Sequence, residues 1–115
     1  LKVKKAERPH RLGHAFVLRD GEGRIGLVRR PDKGLLGGMV GLPTSDWSAT
    51  PDFMAPVDAD WVEVGAVEHV FTHFSLTLTV HVGAGDGDFL WTEAEDALAS
   101  LPTVFRKALE RGLAA

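Results

Sequence analysis

The sequence predicts an α+β sandwich, in which a mixed, mostly antiparallel sheet is followed by two C-terminal helices. Three observations carry this expectation. A Gly-rich turn at Asp20-Gly21-Glu22-Gly23 separates two β-prone runs near the N-terminus. Apolar and polar residues alternate without a break from Phe74 to Val82. The last part of the chain changes to helical spacing, interrupted once by Leu101-Pro102.

Residues 1–12 carry Lys2, Lys4, Lys5, Arg8, Pro9 and Arg11 with little apolar content. They read as a basic arm or interdomain linker ahead of a single domain over residues 13–115. His14 to Arg19 and Arg24 to Arg30 form the two arms of the hairpin. Pro31, Gly34, Gly37, Gly38, Gly41 and Pro43 punctuate a loop-rich stretch, with a short apolar piece at Met39-Val40. Pro51 and Pro56 leave residues 48–60 too broken for a long helix.

From Phe74 to Val82, Phe74, Leu76, Leu78, Val80 and Val82 share one face, while Ser75, Thr77, Thr79 and His81 share the other. Trp61 to Val70 is the expected antiparallel neighbour, with a parity change near Gly65 that marks a bulge. A turn at residues 83–87 leads to a short last strand, Asp88 to Trp91. Thr92-x-x-Glu95 has the form of a capping box opening a short helix. A second helix runs from Thr103 to Arg111. Val104/Ala108 and Phe105/Leu109 are its i,i+4 apolar pairs, and Gly112 is the expected left-handed C-terminal residue.

Composition narrows the function classes. The chain is 44% hydrophobic and 25% charged, ordinary values for a globular domain. At this length, roughly two-thirds of the unfolded surface can be buried. No apolar run approaches the roughly 20 residues of a membrane span, and no apolar segment follows the first charges as in a secretory signal. The expected location is the bacterial cytoplasm, in association with the nucleoid, and the expected state a monomer. The first residue is Leu1 rather than Met, which suggests a piece of a longer chain. There is no Cys, so disulfides, thiolate zinc sites and iron–sulfur ligation are excluded within these residues. Residues 1–35 carry a net +6 and residues 36–115 a net −9. This split suggests one side turned toward a polyanion, or simply a solvated basic tail.

No chemistry stands out from spacing alone. His69 and His73 are four apart, but four strand residues span about 13 Å, too far for one metal ion without a sharp turn. No third ligand is evident for them, and His10, His14 and His81 read as structural or surface residues. Ser45, Ser48, Ser75 and Ser100 lack a G-x-S-x-G context. The glycines from Gly34 to Gly41 match neither a P-loop nor a dinucleotide fingerprint, and read as sites of close backbone packing. No catalytic and no metal-binding residue is therefore assigned.

A hairpin followed by Arg29-Arg30-Pro31-Asp32-Lys33-Gly34-Leu35-Leu36-Gly37-Gly38-Met39-Val40-Gly41-Leu42-Pro43 resembles the opening of a Nudix-type fold. Nudix hydrolases cleave nucleoside diphosphate derivatives with Mg²⁺, held by the carboxylates of an R-E-x-x-E-E helix. Here the motif is missing, and Thr44 stands where its preceding Glu belongs. The resemblance implies the fold without a Nudix box and hence without catalysis by this domain.

A closer resemblance is to the C-terminal domain of the MutY family of adenine DNA glycosylases. It rests on residues 30–39, on Leu42-Pro43-Thr44-Ser45-Asp46-Trp47, on Val67-Glu68-His69-Val70-Phe71-Thr72-His73-Phe74 and on Leu101-Pro102-Thr103-x-x-Arg106-Lys107-Ala108-Leu109. The family implies a helical N-terminal catalytic domain, carrying an iron–sulfur cluster, that excises adenine. The Nudix-like domain recognises 8-oxoguanine opposite that adenine in double-stranded DNA, and needs no cofactor of its own. Phe71, Thr72 and His73 are then the lesion-binding residues, with Thr72 where the family commonly has Ser. Arg29, Arg30, Lys33 and the arm through Arg11 are candidate phosphate contacts. The plainer reading makes residues 71–73 a strand junction. The rival functions are a Nudix-type hydrolase, and a protein-interaction domain with Trp47, Phe53 and Trp61 as an exposed apolar patch.

Overall fold

The computed structural model describes residues 9–32 and 36–115. Lys33 and the arm from Lys2 to Arg8 lie outside the described residues. Strands β1 (His10–Arg19), β2 (Ile25–Arg29), β3 (Val40–Gly41), β4 (Val62–Val70), β5 (Ser75–Ala84) and β6 (Leu90–Thr92) precede helices α1 (Ala94–Ser100) and α2 (Thr103–Leu113). The sheet order is β3-β2-β1-β5-β4, with β6 also paired to β2. Every pairing is antiparallel except β1 with β5, which runs parallel from His10↔Ser75 to Arg19↔Ala84. No helix among the described residues is long and apolar enough to cross a membrane.

β1 starts at His10, ahead of the apolar run that marks it in the sequence. Residues 10–12, read there as part of the arm, are strand because β5 supplies backbone partners whatever the side chains. The hairpin closes where expected, but β1 and β2 share only the Arg19↔Ile25 pair. The other edge of β1 is taken by residues 43–48. Leu12 and Ser48 exchange both backbone bonds, and Phe16 N–H donates to Pro43 O at 3.0 Å.

Alternation along β1 and β5 divides the core into two layers. Ala15, Val17, Leu76, Leu78 and Val80 are buried with Ala97, Leu101, Val104, Phe105, Ala108 and Leu109 of the two helices. Burying one such side chain contributes about 1.5–3 kcal/mol, so this layer holds the helices to the sheet. On the opposite layer, His14, Phe16, Leu18 and His81 are covered by residues 49–61, which form no helix. The rings of Phe53 and Trp61 meet Phe16 at 5.3 and 5.1 Å. There His14 Nδ1 and His81 Nε2 share a hydrogen bond of 2.9 Å.

The bulge expected in β4 falls between Glu63 and Gly65, and Gly65 takes φ of +135°. A side chain there would run into the Arg111 guanidinium, which donates from Nε to Val64 O at 3.0 Å.

Two expected helix ends differ. The capping box at Thr92 does not form. Thr92 pairs with Ile25 as the end of β6, its hydroxyl donates to Leu90 O, and Glu93 takes the N-cap position without a side-chain cap bond. Sheet pairing has claimed the residue before the helix could use it. Gly112 is not the left-handed end of α2 but lies inside the helix, buried. A Cβ there would stand 2.8 Å from Val17 Cγ2, so glycine is needed for close approach to the sheet.

Gly112→Ala should therefore destabilise the domain. Helix propensity favours Ala by up to about 1 kcal/mol, but overpacking against a rotamer-stiff valine costs about 1–3 kcal/mol. A net loss is expected in urea unfolding, with an unchanged m-value. Burial holds the His81 imidazole below the usual histidine range, helped by His14 and opposed by Glu63. The unfolded chain therefore binds the extra proton more readily, so stability is full above pH about 6.5 and falls as pH drops below it. The Tm should fall between pH 7.5 and 5.5. His81→Gln should flatten that fall in part, because His69 is also held low.

Candidate functional site

β4 and β5 are joined by a tight reversal whose geometry follows from the sheet. Val70↔Ser75 is the last ladder pair, and Phe71 N–H donates to Phe74 O at 2.8 Å. Thr72 and His73 are left at the corner, both exposed. Phe71 turns inward and is half-buried against the core. Its ring lies 4.8 Å from Phe74, 4.7 Å from His69 and 6.1 Å from Trp47, nearly parallel to the last. The sharp turn that could bring His69 and His73 together does exist, but His69 faces Lys107. Among the described residues, no group of three or more His, Asp or Glu side chains is placed to hold a metal ion.

Beside this corner is an open cleft of about 260 Å³ lined by Arg11, Arg30, Ser45, Asp46, Trp47 and Phe74. Two guanidinium groups lie over aromatic rings. Arg11 Cζ is 4.4 Å from the Phe74 centroid, and Arg30 Cζ is 4.9 Å from that of Trp47 and 5.5 Å from that of Phe105. Such stacking holds the cation in place while leaving its N–H edge available. Burial lowers the Arg30 pKa, yet arginine stays charged. Arg30 Nε and Trp47 Nε1 are both buried donors without a hydrogen-bond partner. Arg11 and Arg30 give the cleft guanidinium donors suited to acceptor oxygens.

The expected phosphate contacts separate. Arg29 and Arg30 are neighbours on an extended chain and point to opposite sides. Arg30 enters the cleft, whereas Arg29 donates to Gly38 O at 2.8 Å and lines a different groove with Asp88 and Phe89. Lys33 lies outside the described residues. Trp47 was not foreseen as a lining residue. Its place in the Leu42–Trp47 stretch was the available signal, but nothing local shows which ring it meets. The apolar patch expected of Trp47, Phe53 and Trp61 does not exist as one surface. Trp47 packs on the helix side with Phe105, whereas Phe53 and Trp61 pack on Phe16 across the sheet.

Comparison with solved structures finds the same fold. A MutT protein from Methanosarcina mazei Go1 is 20% identical, with a TM-score of 0.76 over 96% of this chain and 97% of that one. The C-terminal domain of mouse MUTYH, solved in complex with human PCNA, is 19% identical, with a TM-score of 0.63 over 88% of this chain and 86% of that one. A MutT NUDIX hydrolase from Burkholderia pseudomallei is 19% identical, with a TM-score of 0.65 over 89% of this chain and 97% of that one. No curated protein matches. The model of the NUDIX domain matches residues 14–111, and the chain belongs to that family.

Proposed function

We propose that this domain recognises 8-oxoguanine opposite adenine in double-stranded DNA, as the C-terminal domain of an adenine glycosylase. The observation that carries the reading is the corner at Thr72 and His73, exposed beside a cleft holding two stacked arginines. Guanine presents N7 as an acceptor in the major groove. Oxidation at C8 turns N7 into an N–H donor and adds a carbonyl. The Thr72 hydroxyl can accept from that N–H, and the His73 imidazole can probe the neighbouring base edge or backbone. Arg30 and Arg11 would then bind backbone phosphate, which positions the duplex without reading sequence. Excision of the adenine belongs in this reading to an N-terminal domain carrying an iron–sulfur cluster. The mouse MUTYH domain was solved on PCNA, so a protein partner beside DNA is part of the proposal.

The hydrolase reading has less support. Residues 49–61 follow the Gly-rich loop without forming a helix, and they carry Asp52, Asp58 and Asp60 but no R-E-x-x-E-E run. Thr44, at the place of the preceding Glu, is bridged by its backbone to Ala15.

Binding of the domain to matched duplexes tests the proposal. Thr72→Ala with His73→Ala should remove the preference for 8-oxoguanine:A over G:A, a loss of about 1–3 kcal/mol as for other base-edge contacts. An unchanged preference, or release of phosphate from nucleoside diphosphates with Mg²⁺, would overturn it. Arg30→Met should weaken both duplexes alike and reduce the dependence of log K on log[salt] by about 1.

A further inference from the structure

The 71–74 turn is supported from behind by a contact that its own residues do not make. His69, two residues before Phe71 on β4, is half-buried and sets its ring at 67° to that of Phe71, with centroids 4.7 Å apart. Its Nδ1 lies 3.2 Å from Lys107 Nζ, and the same ammonium donates to Glu68 O at 2.9 Å. Ammonium has donors only, so His69 Nδ1 must be the acceptor and the ring proton must sit on Nε2. The second bond, to the Glu68 carbonyl, holds the ammonium at the strand and so fixes the plane of the imidazole. That plane is one wall of the slot in which Phe71 sits, with Trp47 and Phe74 as the others. Phe71 in turn anchors the Phe71–Phe74 backbone bond that presents Thr72 and His73.

We propose that Lys107 and His69 are positioning residues for the recognition turn: helix α2, through the Lys107–His69 hydrogen bond, sets the Phe71 ring and thereby the placement of Thr72 and His73. The inference rests on the reading of this turn as the lesion contact. Lys107 then acts through another residue and not by touching DNA. Its loss should change discrimination, whereas a phosphate-binding lysine would change affinity for every duplex equally. An exposed lysine with no such role would change neither.

The test compares Lys107→Met, which keeps the aliphatic stem but donates no hydrogen bond, with Lys107→Arg, which restores a donor. His69→Phe keeps a ring but accepts nothing. Amide resonances and order parameters of residues 71–74 are read by NMR, together with affinity for 8-oxoguanine:A and G:A duplexes. Lys107→Met and His69→Phe should move the Thr72 and His73 amides, lower their order parameters and reduce the preference for the damaged duplex by roughly threefold to tenfold. Affinity for the G:A duplex should stay as in the parent, and Lys107→Arg should recover most of both readouts. Unmoved turn resonances in Lys107→Met, or equal weakening of both duplexes, would overturn the positioning role. Moved resonances with an unchanged preference would overturn it too, provided that Thr72→Ala with His73→Ala does abolish the preference. If that double variant also leaves the preference intact, the recognition reading fails, and the turn resonances alone judge the contact between α2 and the turn.

Discussion

The parallel pairing of β1 with β5 is the constraint on which the rest of the molecule depends. Ten residues of each strand lie in continuous register, and beyond the exposed His10–Leu12 end the pair carries the buried residues of both layers. Parallel strands cannot be joined by a tight turn, so everything between them in sequence must be routed around the pair. β2 and β3 are laid down on one side. Residues 43–48 return along the free edge of β1, residues 49–61 cross the face carrying His14, Phe16 and His81, and β4 closes the far edge. The two helices then have one face left to cover.

The same register builds the candidate site. His10 opposite Ser75 and Arg11 opposite Leu76 set Arg11 at the start of β5, where its guanidinium meets Phe74. Arg30, the residue after β2, enters from the other side, stacked on Trp47, and the return of residues 43–48 delivers Trp47 between the two. The cleft is thus formed by four separate stretches of the chain, at Arg11, Arg30, Ser45–Trp47 and Phe74. Two of its six lining residues are arginines, on a chain of net charge −3. Arg11 and Arg30 outweigh Asp46, the one carboxylate among the lining residues. Phe71 is packed among three aromatic rings, while the hydroxyl and imidazole at the tip remain exposed.

Much of this was legible in sequence because the signals were local. The period of two from Phe74 to Val82, the bulge at Gly65, the hairpin turn at residues 20–23 and the break at Leu101-Pro102 each depend on a few adjacent residues. Where a residue had two local options, the reading failed. Thr92 is a good N-cap, but β2 offered it a ladder partner; Gly112 is a good helix terminator, but Val17 required a small residue inside the helix. Both outcomes were decided by a neighbour distant in sequence.

The exposed corner at Thr72 and His73 follows from sequence alone, since a strand pair of this pattern must reverse there and polar residues stay outward. The α+β class and the absence of cysteine chemistry follow in the same way. Tertiary structure alone decided that Arg30 and not Arg29 faces the cleft, that Arg11 belongs to a strand, that Trp47 and Trp61 lie on opposite sides of the sheet, and that Lys107 meets His69. The physical reason is common to all four. Backbone pattern sets which side of an element a residue occupies, but which distant surface lies there depends on register and crossover, and those are set only when the whole core closes.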